Sequence, residues 1–550
     1  MSTAAEVAPA PSGEYSHRQI LTILTGLLLG MFLAALDQTI VSTAIRTISD
    51  DLHGLSIQAW VTTAYLVTST ITTPIYGKLG DLWGRKKLFL FAITIFILGS
   101  AACSFATSMY ELAAFRAFQG LGAGGLMTLV LAIIGDIVSP RERARYTGYF
   151  MATFGTASVL GPVIGGLLAG TSSILGIAGW RWVFLVNVPI GILALFVIVR
   201  TLHVQHTKRE ARIDWRGAVA LVVCLVPLLV VAEQGREWGW GSARSLICIA
   251  IGVVGLVLFV WAESRMKLEA LIPLKLFTIK AASVTIAASV IVGMGMFGAM
   301  MLLPLYMQIV HGATPTQSGF LMLPLVAGLM CASLISGRII SKTGRTRPFP
   351  IMGSMLMAIG LFLLSLITAD TALWKVDLTM ALVGYGIGNC MQPLILTMQS
   401  SVPPTAIGVA TSSATFFRQI GGTIGVAMFL SLLFGAVGPH IETSFKHAET
   451  TPAFQIAARK ALAEAPSSAD HRLIARPQSV LAGISNDSSV IQQLNPALAH
   501  PVKSGFASAM TPSFAVAGGL GVLAFLVLLL MPEVKLRETS AAAARSAAAG

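Results

Sequence analysis

Gly77-Lys78-Leu79-Gly80-Asp81-Leu82-Trp83-Gly84-Arg85-Lys86-Lys87 joins two long apolar runs. Its glycines permit a tight turn and a close approach of the flanking segments. Its four cations, Lys78, Arg85, Lys86 and Lys87, mark one face of a membrane. The pattern returns once. Gly337-Arg338-Ile339-Ile340-Ser341-Lys342-Thr343-Gly344-Arg345 keeps Gly, an aliphatic residue, Gly and Arg in register, with Ser341 where Asp81 stands. A loop met twice, each time after an apolar run, points to a fold built from two parallel halves.

The rest of the chain fits that reading. Of 550 residues, 55% are hydrophobic and 11% are charged, and the mean hydropathy is +0.79. Those values describe a polytopic membrane protein. A spanning helix needs about 20 mostly apolar residues. Fourteen such runs can be traced, near 20–48, 57–76, 88–107, 110–136, 146–170, 182–200, 215–233, 245–262, 281–309, 317–337, 349–368, 376–399, 406–436 and 512–531. The net charge of +13 invites a nucleic-acid reading, but its distribution argues otherwise. With the N-terminus inside, 24 Lys/Arg fall on the inner side and 11 outside, six of the latter in one long loop. Long loops weigh little in the positive-inside rule, so the excess orients the chain. The five cysteines (Cys103, Cys224, Cys248, Cys331, Cys390) all lie in apolar runs. No disulfide and no metal site is expected from them.

Leu36-Asp37-Gln38-Thr39-Ile40-Val41 lies inside the first run, and Asp37 is the one acid that sits well inside an apolar segment. An ionisable side chain in a span marks an ion or substrate pathway. Burial raises a carboxyl pKa and a nearby cation lowers it. A site that alternates between those surroundings can bind and release a proton. Arg116, in the fourth run, is the natural partner: at about 1.5 Å per residue the two lie at similar depth. Arg418 is a second intramembrane cation, in the other half.

The loop after Gly77 resembles the motif between helices 2 and 3 of the major facilitator superfamily. Arg116-Ala117-Phe118-Gln119-Gly120 is similar to the superfamily's buried-arginine motif. Leu160-Gly161-Pro162-Val163-Ile164-Gly165-Gly166 resembles the antiporter motif of drug exporters. Trp180-Arg181-Trp182-Val183-Phe184-Leu185-Val186-Asn187-Val188-Pro189 and the stretch from Leu36 resemble the fourteen-spanner drug:proton antiporters, with Ser42 and Arg46 where Asn and Pro are usual; Arg418-Gln419-Ile420-Gly421-Gly422 does so again. Some relatives carry acids in that last helix; residues 406–436 have none.

The resemblance implies an all-α, polytopic membrane protein with the major facilitator fold and 14 transmembrane helices arranged 6 + 2 + 6. The expected organisation is a cytoplasmic tail 1–18, a six-helix bundle 19–201, two inserted helices with linkers 202–280, five helices of the second bundle 281–436, an outer loop 437–511, the last helix 512–531 and a cytoplasmic tail 532–550. It also implies a proton-coupled antiporter that exports small, largely apolar compounds across the plasma membrane. A dedicated exporter of one metabolite, siderophore, antibiotic or lipid is the alternative.

Asp37 and Arg116 are the expected proton-coupling pair. Gln38, Tyr65, Phe118, Gln119, Met294, Arg418 and Gln419 are expected along the substrate cavity. Gly77, Asp81, Gly84 and Arg85 are expected to gate, and Gly161, Pro162, Gly165 and Gly166 to bend the fifth helix and admit a neighbour. No Walker-type loop and no nucleophile–base constellation appears. The expectation is therefore no enzyme, no cofactor beyond the proton gradient and no metal. The expected partners are a small-molecule substrate and membrane lipid, with no nucleic acid, and the expected unit is a monomer with both termini cytoplasmic.

Overall fold

A computed structural model describes residues 17–53, 58–202, 214–266, 269–463, 469–475 and 494–536. Outside them lie residues 1–16 and 537–550 of the expected tails, 203–213 of the basic linker, and 464–468 and 476–493 of the expected outer loop. In lipid a helix satisfies its own backbone groups, and the apolar runs are helical for that reason. The first half comprises α1 (His17–Asp51), α2 (Gln58–Trp83), α3 (Arg85–Ser104), α4 (Met109–Ile137), α5 (Pro140–Gly170) and a broken sixth unit, α6 (Trp182–Leu185) and α7 (Asn187–Thr201). A two-stranded hairpin, β1 (Ser173–Ile174) and β2 (Ile177–Ala178), pairs Ser173 with Ala178 just before α6.

An inserted pair follows, α8 (Trp215–Trp238) and α9 (Ala243–Met266). The second half comprises α10 (Lys280–Ile309), α11 (Pro315–Leu321), α12 (Leu323–Thr343), α13 (Pro348–Leu364), α14 (Leu373–Ser400) and α15 (Ile407–Ala448). It continues with α16 (Pro452–Ala463), α17 (Ala469–Ala475) and α18 (Pro496–Leu529). Among the described residues eleven helical stretches are long and apolar enough to cross a membrane, and α13 is a shorter apolar helix. Helix starts follow local chemistry. Ser108 and Ser139 accept from the Glu111 and Glu142 amides at the heads of α4 and α5, and Thr314 forms a capping box with Gln317 at α11.

The halves repeat one packing scheme. Gly120 and Gly124 bring α4 onto the α2 backbone, where an added Cβ would lie 2.6 Å from the Tyr65 carbonyl and 2.3 Å from that of Ser69. Gly384 and Gly388 bring α14 onto α12 in the same way, at 1.9 Å from the Leu325 carbonyl and 2.4 Å from that of Leu329. Small residues at i and i+4 let helices cross this closely. The repeated loops also match: Gly84 and Gly344 both have positive φ, 95° and 70°. The seam between halves is formed by α5 on α12 and by α2 and α4 on α15, and α8 packs on both α2 and α15.

Several helix bounds differ from the sequence expectation: α2 runs on to Trp83 instead of ending near 76, so most of the Gly77 stretch is helical and the chain turns at Gly84; the largest differences are in α15 and α18. α15 runs on to Ala448 instead of ending near 436, and α18 starts at Pro496 instead of near 512. Hydropathy stops reading a helix where its faces turn polar, yet these extensions bury their own apolar stripe. Ile441, Phe454, Leu473, Leu498 and Phe506 form a core at the outer end of α15 and α18. A side chain at Gly505 would collide with Ile441.

Candidate functional site

Asp37 is fully buried, and three donors converge on its carboxylate. Arg116 Nη1 on α4 donates to Oδ2 at 2.5 Å. Gln119 Nε2, one turn on, donates to Oδ1 at 2.9 Å, and Asn187 Nδ2, at the start of α7, donates to Oδ1 at 2.8 Å. Ser100 on α3 accepts from both amides, at 3.2 and 3.0 Å, and donates to the Phe184 carbonyl at 3.0 Å. Arg116 also donates to Gln119 Oε1 at 2.7 Å and lies over the Tyr65 ring, 4.0 Å from its centre. Three N–H donors and no carbonyl face the carboxyl group, an arrangement that fits a carboxylate and not a carboxylic acid. A buried pair is costly to break on one side; among the described residues Arg116 Nε and Asn187 Oδ1 are buried with no hydrogen-bond partner.

The break between α6 and α7 is what makes this shell. The preceding turn is pinned by Trp180 Nε1 donating to Asp51 Oδ2 at 2.6 Å and Arg181 Nη1 donating to the Ser104 carbonyl at 2.5 Å. That fixes Phe184 over Ser100 and points Asn187 at Asp37. Every group bonded to Asp37 comes from the first half. In this conformation the acid is closed from the seam between the halves.

Gly161 and Gly165 press α5 onto α1 directly beside the acid. A Cβ at Gly161 would lie 2.0 Å from Thr39 Oγ1, and one at Gly165 would lie 2.8 Å from the Ile40 carbonyl. Pro162 and Gly166 face the other half, against Gly319 and Thr316 of α11. The glycine-proline stretch is thus a seam with two sides.

A second charged cluster closes the seam at the face carrying the Gly77 loop. Asp81 accepts from the Gly408 and Val409 amides at 3.2 and 3.0 Å, at the N-terminus of α15. Helix N-termini favour an anion there. Arg85 holds Asp81 at 2.7 Å and Asp136 of α4 at 3.0 Å, and donates to the Ala132 carbonyl. Arg143 of α5 crosses to Gln399 of α14, whose Nε2 donates to Thr411 of α15 at 2.7 Å. Burial, and then Arg85, push the Arg143 guanidinium down to about 9. A Cβ at Gly77 would lie 2.1 Å from Ser412 Oγ and 2.9 Å from the Gly408 carbonyl. The two backbones touch, and this face is shut.

The expected residues thus separate into groups. Asp37, Arg116, Gln119 and Tyr65 come together, so Gln119 and Tyr65 belong to the acid's shell and not to an open cavity. Gln419 lies on the seam, accepting from Thr73 at 3.2 Å. Arg418 and Met294 lie at contacts of α10 with α15, where Gly293 meets the Arg418 backbone and Gly425 meets Met294. Gln38 is half-buried next to Asp37. Phe118 is 40% exposed and, two residues from Arg116, sits on another face of α4.

Asp37 is not the only buried acid: Asp136, Asp214 and Glu263 are buried too, all at or near helix ends. Ser100, Asn187, Asp136, Arg143 and Gln399 were not anticipated as site residues. Uncharged polar side chains carry little signal inside apolar helices, though Asn187 does sit in the Trp180–Pro189 stretch.

Two repeated bundles, a buried ion pair in one of them and a charged lock across their seam define a membrane transporter. The comparisons place it: residues 27–426 match the family model of the Major Facilitator Superfamily. The chain belongs to this superfamily and, within it, groups with multidrug efflux transporters. It is 38% identical over 417 residues to the multidrug transporter protein MdtP of Bacillus subtilis, covering 76% of this chain and 75% of the relative. It is 35% identical over 408 residues to multidrug resistance protein 3 of the same organism, covering 74% and 78%. An uncharacterized MFS-type transporter of Mycobacterium tuberculosis, Rv1877, matches 94% of this chain and 70% of its own length at 34% identity. Among solved structures, the proton:xylose symporter XylE aligns over 96% of this chain and 100% of its own, with a TM-score of 0.59 at 15% identity. That likeness speaks for the fold.

Proposed function

We propose that this chain is a proton-coupled antiporter that exports small, largely apolar compounds by alternating access. The observation that carries this reading is the Asp37 shell. It holds a carboxylate, dry and paired with Arg116, in the middle of a bundle. A proton arriving on Asp37 would cancel the charge that holds Arg116 and free the shell to rearrange. That links protonation to the packing of α1 on α4 and α5, and α5 in turn touches the second half through Pro162 and Gly166. The names of the multidrug relatives support export of drug-like compounds.

The span count proposed is fourteen, as two bundles of six and an inserted pair. α2, α13 and α14 pack within their bundles as the other helices of those bundles do, and α8 and α9 pack on each other. The cations of the Gly77 face support its assignment to the cytoplasmic side of a plasma membrane. α1 begins and α18 ends on that face, where His17 meets Tyr146 at 2.7 Å and the Thr346 amide donates to Glu533 at 3.2 Å. With that face shut, this conformation is the one that excludes the cytoplasm. The proton gradient is the energy source, and one chain carries both halves of the transport path.

The test is dye movement in everted membrane vesicles energised with a proton gradient. Wild type should accumulate the dye, and Asp37→Asn should lose gradient-driven accumulation. Equal accumulation by the two would refute the coupling role. Dye movement out of the vesicles would refute export.

A further inference from the structure

The inserted pair takes no part in the Asp37 site, yet it holds a buried acid pair of its own. Asp214 caps α8: Oδ1 accepts from the Gly217 amide at 2.7 Å. Its other oxygen, Oδ2, is buried with no hydrogen-bond partner among the described residues, and the residue is 2% exposed. Glu263, near the end of α9, is 0% exposed. It accepts from the Leu271 and Ile272 amides at 3.2 and 3.0 Å. The two carboxyl groups meet over Gly217, where an added Cβ would lie 2.4 Å from Asp214 Oδ2 and 3.0 Å from Glu263 Oε1. The orphaned oxygen of Asp214 is therefore aimed into the pocket that Glu263 occupies.

Among the described residues the surrounding charges are few; Lys208, Arg209, Glu210 and Arg212, just before Asp214, lie outside them. Lys78 of α2 is buried, and Asp81, Glu269, Glu263 and Asp214 all act on it. Asp81 is itself held by Arg85 and the α15 amides. Arg216, Arg265 and Lys275 are exposed. Lys267 lies outside the described residues. Two carboxylates in one buried pocket repel, and one of such a pair keeps its proton. Lys78 can balance one of the two negative charges. A carboxyl O–H on the other would supply the donor that Asp214 Oδ2 lacks, removing the cost of an unsatisfied buried oxygen.

We propose that Asp214 and Glu263 form a second proton-binding site, holding one proton between them, and that its occupancy sets the grip of the inserted pair on the gate helix α2. When the proton leaves to water, a second negative charge stays in the pocket beside Lys78. That strengthens the pull on Lys78, three residues before Asp81, and favours the conformation in which the Gly77 face is shut. The gating half of this inference rests on the reading of Asp81 as a lock; the proton-binding half does not.

Infrared difference spectra of the purified full-length protein, recorded through a pH titration, test the first half. Wild type should show a carboxyl C=O band lost on going alkaline. That band should persist in Asp37→Asn and vanish in both Glu263→Gln and Asp214→Asn. Asn caps a helix as well as Asp does, so Asp214→Asn keeps α8 started if Glu263→Gln unfolds. A band that titrates unchanged in both variants would overturn the site. The second half is read from Ser412→Cys, on the shut seam, in protein whose five native cysteines have been replaced by serine or alanine. Its labelling should fall severalfold as pH rises in wild type and stay level in Glu263→Gln. A wild-type pH response in that variant would overturn the link to the gate while leaving the infrared result to decide the site.

Discussion

At the residue scale, the protein solves one problem: how to keep a carboxylate in oil. Arg116 supplies charge, Gln119 and Asn187 supply directed amides, and Ser100 orients both of them. Each group has a distinct expected phenotype. Arg116→Leu leaves Asp37 buried without its cation, and breaking one side of such a pair costs about 3–5 kcal/mol. Thermal unfolding in detergent should show it as a clear loss of stability. Arg116→Lys keeps the charge but loses the planar guanidinium over Tyr65 and its reach to both Asp37 and Gln119; gradient-driven efflux should fall about tenfold or more. Asn187→Leu removes one of three donors and leaves the ion pair standing. The optimum of the efflux pH profile should therefore move while export persists; an unmoved optimum would show that Asn187 only packs. Asp37 and Arg116 were legible because ionisable residues in apolar runs stand out. Ser100 and Asn187 were not, because their role exists only after α3 and α7 fold back on α1.

At the element scale, the gate depends on close backbone approach and on one charge at a helix end. Gly77 and Gly408 have no room for a side chain: a Cβ on Gly408 would lie 2.4 Å from Asp81 Oδ1. Gly77→Val should pry α2 from α15, and a cysteine on the seam should become reactive from the cytoplasmic side; unchanged reactivity would contradict the lock. Asp81→Asn keeps the shape and loses the anion at the α15 N-terminus. An anion there contributes about 0.3–2 kcal/mol, so the shut-to-open ratio should drop by about twofold to about thirtyfold in a distance-sensitive fluorescence assay. The loop motif and its glycines were readable from spacing. Arg143 and Gln399 were not, because neither sits in a repeated pattern and their contact joins helices far apart in the chain. Helix positions in the bundles were also legible, since about 20 apolar residues leave few alternatives. The outer ends of α15 and α18 escaped because their buried stripe faces other helices, not lipid.

At the scale of the whole molecule, the two bundles repeat in loop, glycine crossing and helix order, but the acid was kept in one half only. Ser341 stands where Asp81 stands, and α15 offers Arg418 with no acid in its membrane part. One bundle thus carries the buried Asp37–Arg116 pair and the other supplies the surface it locks against. Holding the bundles together should stop transport. Thr73 and Gln419 face each other across the seam, their side-chain ends 3.2 Å apart, so a reducible bifunctional thiol reagent bridging Thr73→Cys and Gln419→Cys should abolish efflux and a reductant should restore it. Efflux that continues in the cross-linked protein would mean the seam need not part.

The decisive measurement is proton release from purified protein when substrate is added. Wild type should release protons on binding an exported compound, and Asp37→Asn should still bind the compound yet release none. Undiminished release from Asp37→Asn would place the coupling proton on some other group.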